Sequence, residues 1–429
     1  MPRQFGAEEH LVIKGQSMRP LEGLKVLDFC WVAAGPMTTG YLVEYGATVV
    51  RIESRSHPDT LHNSPPFGSN GQGPNRSGYY ANYNASKYAV GLNMAHPKAI
   101  DIVKRFVAWA DLVTENFTPG TMEKWGLGYD ELCQLKPDVI LFSTSMLGRG
   151  GPYARQPGFG PVLSSLSGMT GLTGWPDRAP TNPYGAYTDF IVPRFALATV
   201  IAALDYRRRT GRGQHLDMAQ LEVALYFLAP PMLDYALSGR EPQRAGNRHA
   251  AAAPHGAYPC QGEDRWCTIA CMTDAHWQAL CQAMGHPAWT QEECFATLLG
   301  RKAHEDELDA WLGEWTQGWQ AEALMHVLQQ AGVPAGVVHN NRGVIEDAQL
   351  QHRGHFVYLD HPAVGRHPVQ RSEFRLSQAA AEHRWAAPLI GQHTALVCKE
   401  MLGMSEDEIV ALLAEGVLED SAAPEGGAA

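Results

Sequence analysis

Several common signatures are missing from this sequence, and each absence removes a class of chemistry. The eight cysteines, Cys30, Cys133, Cys260, Cys267, Cys271, Cys281, Cys294 and Cys398, include no C-x-x-C pair and fit no zinc spacing. They read as reduced packing residues, and no metal site is expected. His352, His355, His361 and His367 alternate with Pro, Gly, Asp and Arg in loop-like sequence, which suits a solvated surface better than a metal cluster. There is no G-x-x-x-x-G-K-[ST], no G-x-S-x-G and no H-E-x-x-H, so P-loop, elbow-serine hydrolase and zinc-protease chemistries lack their local marks. The first strand-to-helix loop, "CWVAAGPMTTG", lacks G-x-G-x-x-G, and a proline follows its first glycine where a dinucleotide fingerprint needs close backbone approach. Positive charge is also in deficit. Thirty-four Lys and Arg against 45 Asp and Glu leave a net charge of -11, which argues against nucleic acid and anionic membranes as partners. No uncharged apolar stretch reaches membrane-spanning length. The opening "MPRQFGAEEHLVIKGQSMRP" carries Glu8, Glu9, Lys14 and Arg19 and reads as neither signal peptide nor anchor, so a cytoplasmic enzyme is expected.

What is present is an alternation of strands and helices. "GLKVLDFCWVAAGPMTTGYLVEYGATVVRIES" reads as strand, tight loop, helix and strand, too short for anything but a parallel βαβ crossover. "HPKAIDIVKRFVAWA" carries Ile100, Val103, Phe106, Val107 and Ala110 at helical spacing, followed by the strand-like "DLVTENF" and "PDVILFSTS". The pattern predicts an open α/β sheet covered by helices, with ligands bound beyond the carboxyl ends of its strands. Those ends are Trp31 to Gly35, Glu53 to Arg55, Asn116 to Pro119 and Ser143 to Gly151. A long helix is expected after Pro193, closing with Arg207 to Arg209 and stopped by Gly211. "TGRGQ" at 210–214 follows a helix and reads as a turn. From about residue 228 the character changes, so the expected division is a large domain over 1–227, a small domain over 228–340 and a return segment over 341–429, with a disordered tail from about 421.

One stretch raises a chemical question. "NPYGAYTDFIVPRF", residues 182–195, sets Asp189 among Tyr184, Tyr187 and Phe190 with no His, Lys or Cys nearby in the chain. A carboxylate is rarely put in apolar surroundings without a partner. Thr188 or Asp189 suits a helix cap ahead of Pro193. Asp189 also suits a structural acid, or a nucleophile, since an ionised carboxylate needs no base to activate it. These residues alone leave the alternatives open.

Taken together the motifs resemble the class III coenzyme A transferases, the group that includes formyl-CoA transferase, carnitine CoA-transferase and α-methylacyl-CoA racemase. The resemblance runs through "PLEGLKVLDF", "YGATVVRIE", "NASKYAVGLNM", "ADLVTENFTPGTMEKWGLGYDEL", "SGMTGLTGWPDRAPTNPYGAYTDF", "AALDYRRRTGRGQHLDMAQLE" and "APLIGQHTALVCKEMLGMSEDEI". It implies a Rossmann-like large domain plus a smaller α+β domain, two chains forming an interlocked-ring homodimer, and acyl-CoA and a free carboxylic acid as substrates. No permanently bound cofactor is implied; coenzyme A enters as part of the substrate. The resemblance gives Asp189 the nucleophile's role and assigns CoA contacts to Val32, Ala33, Ala34, Lys87, Asn116, Phe117 and Lys124. Arg51, Arg55 and Lys124 are candidates for the CoA phosphates. Two departures stand out. Ala33 replaces a glutamine of oxalate-type members, and "AAAAPHG" at 250–256, which includes His255, stands where those members have a glycine-rich lid. The racemase alternative needs a histidine in the segment matching "PGFGPVLSSLSG", where this chain has Phe159 and Gly160. An intramolecular CoA shift would use the same Asp189. Trp31, Trp175, Tyr184 and Tyr187 are candidates for an acyl pocket, and family habit suggests a dicarboxylyl donor such as succinyl-CoA.

Overall fold

The computed structural model describes residues 19–68 and 71–421, so the readings of residues 1–18 and of the tail from 422 lie outside the described residues. Six strands, β1 (Lys25–Asp28), β2 (Thr48–Glu53), β3 (Tyr88–Leu92), β4 (Leu112–Glu115), β5 (Ile140–Ser145) and β6 (His215–Ala219), are parallel in the order β3-β2-β1-β4-β5-β6. This is the doubly wound order, and its direction reverses between β1 and β4. Two shorter sheets follow in the chain. One is β7 (His255–Pro259), β8 (Trp266–Ala270) and β9 (Ala335–Val337); the other is the hairpin β10 (Phe356–His361) and β11 (Gly365–Gln370). β12 (Leu418–Glu419) returns to the large sheet and pairs antiparallel with β3.

Burial on both faces explains why the strands read as continuous apolar runs. Side chains alternate across the sheet, so Val26, Leu112, Ile140 and Phe142 enter one core while Leu27, Val113 and Leu141 enter the other. The first core is closed by helix α1 (Ala34–Glu44), through Leu42 and Val43, and by a long helix described below. The second is closed by α2 (Ala99–Trp109), whose Ile102, Val103, Phe106 and Val107 form the apolar stripe expected from their spacing. Each fully buried aliphatic side chain here contributes about 1.5–3 kcal/mol of transfer free energy.

Helix α3 (Tyr187–Thr210) begins seven residues before the expected start at Arg194 and runs through Pro193. Its Ala196, Val200 and Ala203 pack into the first core, although by length and hydropathy alone it also suits a membrane span. Arg207 in its last turn pairs with Asp111 and Asp138, and Gly211 ends it at φ 70°.

The chain forms two compact units. The large one comprises the residues through Leu163, Ala186–Phe227 and the chain from Arg353; the small one comprises Ser164–Gly185 and Leu228–His352. Two expected boundaries are thereby corrected. Ser164–Gly185 belongs to the small unit because Arg244 binds the carbonyls of Gly171, Trp175 and Arg178 and Gly246 N–H donates to Gly174 O. The return to the large unit falls at Arg353 rather than 341, because Asn340 caps a further helix, Asn341–Glu346, with its side chain accepting from Gly343 N–H. The small unit packs the β7-β8-β9 sheet against helices around Trp277, Leu280, Phe295, Leu308, Leu312 and Leu324.

Candidate active site

Asp189 is the third residue of α3. Ala186 occupies the N-cap with no side-chain bond, so neither Thr188 nor Asp189 is a cap. Asp189 lies in the first turn, where the helix dipole favours a carboxylate. Pro193 has no N–H to donate to the Asp189 carbonyl four residues back, which frees that carbonyl from the helical ladder. Gly160 presses against the acid from outside. A Cβ at that position would lie 2.8 Å from Asp189 Oδ2 and 2.5 Å from the Ala186 Cβ, so only glycine allows the approach. The Gly160 N–H donates to the carboxylate. Burial pushes Asp189 up to about 6, only partly offset by that donor, and no basic side chain among the described residues opposes the rise. The expected aromatic surround is corrected: Tyr184 is 91% exposed and Tyr187 40% exposed. Desolvation comes from elsewhere, because Asp189 opens onto a cavity of about 130 Å³ walled by Val32, Ala33, Ala34, Asn116, Phe117 and residues of the 145–159 loop.

Six of the sequence-derived site residues therefore meet there: Asp189, Val32, Ala33, Ala34, Asn116 and Phe117. They meet because β1 and β4 adjoin at the reversal of strand order, which brings together the loops that follow them. Asn116 ties those loops: its Oδ1 accepts from Trp31 N–H (2.8 Å) and its Nδ2 donates to Trp31 O (2.7 Å). Both halves of its amide are thus engaged, which makes Asn116 a brace. Ala33 and Ala34 open α1, and their N–H groups have no acceptor among the described residues. Val32 stands at φ 62°, a left-handed conformation that costs a β-branched residue about 1–3 kcal/mol.

Lys124 lies beside this cavity in an open groove of about 700 Å³, together with Arg149 and Arg155. Arg149 is paired with Glu115 and Glu123, whereas Lys124 and Arg155 form no ion pair among the described residues. Beyond Phe117 on the other side, Phe29, Trp31, Ile52, Leu92, Met94, Phe117 and Trp125 line an apolar cavity of about 370 Å³, with Glu53, Ser54, His57, Asn93 and Thr121 as polar members. Ser54 falls within the strand end at 53–55 expected to meet a ligand; sequence reading missed Trp125 and Met94, the latter lying just past the end of β3. It also missed the contact of Gly160 and the neighbouring Gln156 and Gln220, whose only signal was position in a loop.

Two basic residues, Lys87 and Arg51, depart from expectation. Lys87 is fully buried: its Nζ donates to Asp28 Oδ2 (3.3 Å), Pro36 O (2.9 Å) and Asn84 Oδ1 (2.9 Å). Desolvation lowers it to about 8 despite Asp28, and it has no donor left for CoA. Arg51 is equally buried, bound to Glu53 (2.7 Å), Asp59 (2.6 Å) and Cys30 O (2.5 Å). Burial raises Glu53, but Arg51 and His62 outweigh it and hold that carboxyl at about 2. Both cations are internal struts, since a buried charge persists only when paired. Arg55 is exposed, its backbone N–H held by Glu419 (2.6 Å), while Ser54 rather than Arg55 lines the apolar cavity.

Among the histidines, His361 Nδ1 accepts from Ala363 N–H (3.1 Å) and Val364 N–H (3.0 Å), so its proton sits on Nε2 and that nitrogen has no free lone pair for a metal. The 250–256 loop is anchored within the small unit, with Ala252 and Ala253 fully buried, Arg301 donating to Ala253 O (2.9 Å) and His255 Nδ1 bonded to Asn247 O (2.6 Å).

The family model described as CoA-transferase family III matches residues 21–394, so the chain belongs to that family and is a CoA-transferase. It is 31% identical over 400 residues to succinyl-CoA–D-citramalate CoA-transferase of Chloroflexus aurantiacus, covering 93% of this chain and 98% of that one. It is 32% identical to succinate–glutarate CoA-transferase of Agrobacterium fabrum, over 89% of this chain and 96% of that one. Among solved structures, a CAIB/BAIF family protein from Brucella suis superposes with a TM-score of 0.82 at 32% identity, covering 89% of this chain and 99% of its own.

Proposed function

We propose that the protein moves CoA from a dicarboxylyl-CoA donor, of which succinyl-CoA is the type, to a free carboxylic acid, with Asp189 as covalent nucleophile. The observation that carries this is the composition of the cavity wall: among the described residues Asp189 is its only titratable side chain. A carboxylate near pKa 6 is about nine-tenths ionised at pH 7, more basic than an ordinary Asp and needs no helper. Proton removal and return at an α-carbon would require a second titratable group in that wall, so racemisation is not supported.

In this reading an Asp189 oxygen attacks the thioester carbonyl, the C–S bond breaks, and CoA leaves as thiolate with a mixed anhydride behind it. The thiolate attacks the aspartyl carbonyl of that anhydride, freeing the donor's carboxylate and leaving an aspartyl-CoA thioester. The acceptor carboxylate attacks this thioester, and the thiolate released takes the acceptor's acyl group from the second anhydride, which regenerates Asp189. No net proton moves. The open N–H groups of Ala33 and Ala34 are suited to the oxyanions formed at each attack. The aromatic cavity suits the adenine base, and Lys124 and Arg155 suit the phosphates. The names of the two relatives support a dicarboxylyl donor. A homodimer is part of the proposal, supported by Tyr153, Phe159 and Tyr226, which are 68%, 65% and 73% exposed on the large unit.

Mass spectrometry tests the mechanism. Incubation with succinyl-CoA and hydroxylamine is expected to leave a hydroxamate on Asp189, and Asp189→Ala is expected to keep the fold and lose transfer. Full transfer by that variant overturns the reading. Labelled succinyl-CoA with a separate acceptor acid distinguishes intermolecular transfer from a shift within one molecule.

A further inference from the structure

The loop after β1 is held by Asn116 from the cavity wall and by Asp28, Arg51 and Asp59, which do not line that cavity. Cys30 N–H donates to Asp28 Oδ1 (2.9 Å) and Cys30 O accepts from Arg51. Trp31 is tied at both ends of its peptide to Asn116. The next residue is Val32, in the left-handed region where glycine is the default. Its N–H lies 3.1 and 3.0 Å from the two oxygens of Asp59. Asp59 is itself fixed. It is 1% exposed, its Oδ2 receives Arg51 Nη2 (2.6 Å) and its Oδ1 receives Leu61 N–H (3.0 Å). Arg51 is in turn locked by Glu53, which also accepts from His62 (3.1 Å) and Tyr80 (3.0 Å). A β-branched residue stays left-handed only where its surroundings impose it, and the imposing group here is the Asp59 carboxylate. The residues that follow are Ala33 and Ala34, which line the same cavity as Asp189.

We propose that Asp59 is a positioning residue for acyl transfer: by gripping the Val32 N–H it holds Val32 left-handed and so sets the Ala33 and Ala34 N–H groups where an oxyanion develops at Asp189. Asp59 lines none of the three cavities and cannot contact substrate. The proposal rests on the reading of Asp189 as nucleophile. It predicts a rate role without a binding role, because small misplacement of oxyanion donors is costly in the transition state and cheap in the ground state.

The test is a double-mutant cycle between residues 59 and 32. Asp59→Asn keeps the shape but presents an amide N–H where two donors converge. Its kcat is expected to fall about 10²-fold while KM for succinyl-CoA changes less than about threefold. Glycine reaches the left-handed region without help, so in the Val32→Gly background the same Asp59→Asn change is expected to cost at most about fivefold. A merely structural role for Asp59 would give the same penalty in both backgrounds, and an undiminished penalty overturns the proposal. So does an unchanged kcat in Asp59→Asn. Should that variant not fold, Asp59→Glu, which keeps the charge opposite Arg51 but displaces both oxygens, gives the same two readings. Amide exchange at residues 32–34 is a readout without turnover: Asp59→Asn is expected to speed exchange at Val32 at least tenfold, and unchanged exchange counts against the proposal even if the wild-type protein proves inactive with succinyl-CoA. Wild-type inactivity with accelerated exchange would instead indict the functional reading alone.

Discussion

Replacing the proposed nucleophile is expected to stabilise the protein. Asp189 rises from 3.8 to about 6 because burial penalises its charged form and no cation compensates. Its folded-state proton affinity is therefore about 10² higher than in the unfolded chain, equivalent to about 3 kcal/mol at 1.36 kcal/mol per tenfold step. The sign follows from linkage. A carboxyl whose folded pKa is raised favours the native state fully below the unfolded value of 3.8, and that advantage is lost as pH rises to about 6. At pH 8 the native protein carries the whole cost of an ionised, poorly solvated acid. Asp189→Asn is nearly isosteric, keeps an oxygen for the Gly160 N–H and removes the charge. Allowing for the carboxylate's partial contact with solvent, the gain at pH 8 is about 1–3 kcal/mol. For a cooperative unit of this size that is about 2–6 °C in Tm. Thermal melts of wild type and Asp189→Asn at pH 4, 6 and 8 test it. The variant should melt higher at pH 8, by less at pH 6 and equally near pH 4, while losing at least about 10³-fold in transfer rate. Equal midpoints at pH 8, or a difference that does not change with pH, would refute the reasoning, because either would show that Asp189 is not an uncompensated buried charge.

Three further outcomes follow from the same geometry. In the proposed mechanism the ionised carboxylate attacks, so kcat/KM for the acyl-CoA should fall as pH drops through about 6 and stay level above it; a profile flat from pH 5 to 8 contradicts the raised pKa. Gly160→Ala places a Cβ 2.8 Å from Asp189 Oδ2 and 2.5 Å from Ala186 Cβ, so it should cost about 1–3 kcal/mol in stability and at least about 10²-fold in kcat; wild-type kinetics would show that the contact yields freely. Trp125→Ala opens the apolar cavity away from Asp189 and should raise KM for acyl-CoA about 5- to 100-fold with kcat little changed, measured by steady-state kinetics; an unchanged KM removes that cavity from the CoA site.

The parallel strands were legible in the sequence because burial on both faces turns them into apolar runs, as in "KVLDF" and "VILFS". β3 and β6 were not: "YAVGL" is short and interrupted by Gly91, and β6 lies at the sheet's edge with Asp217 exposed and His215, Leu216 and Met218 only partly buried. The early start of α3 was hidden by Pro193, which suggests a first turn, whereas here the bond it forfeits falls on Asp189. Motif matching brought the loop residues at 32–34 and 116–117 to the cavity, because loop sequence and strand order act together there. It failed for Lys87 and Arg51, since a lysine or arginine at a strand end looks the same whether it meets a phosphate or a buried aspartate. Only the partner distances separate the two cases. Asp189 itself stood out, but its desolvation was attributed to the wrong neighbours: chain adjacency placed Tyr184 and Tyr187 beside it, and the fold turns both towards solvent.

Glu53 supplies the counterpart to Asp189, and the two buried acids should respond to pH in opposite directions. Glu53 meets Arg51, His62 and Tyr80 and is held at about 2 against an ordinary 4.5. A depressed folded pKa contributes stability that is present above 4.5 and is lost as pH falls towards 2. Glu53→Gln leaves the Arg51 guanidinium with Asp59 alone and the Tyr80 hydroxyl facing a neutral amide, and breaking a buried pair from one side costs about 3–5 kcal/mol. Denaturant melts should show that loss at pH 7 and a narrowing gap as pH falls below 4.5, whereas the gap for Asp189→Asn opens as pH rises. Equal stability at pH 7, or a gap that widens in acid, would show that the cluster does not depend on the Glu53 charge. The contrast bears on function as well. The charges beneath the loop are compensated, so the backbone they grip stays fixed; Asp189 is left uncompensated, so its oxygen keeps the basicity that the proposed attack on a thioester requires. A cation placed beside Asp189 would make the protein more stable and the proposed nucleophile weaker, which gives a physical reason why the cavity wall holds no other titratable group among the described residues.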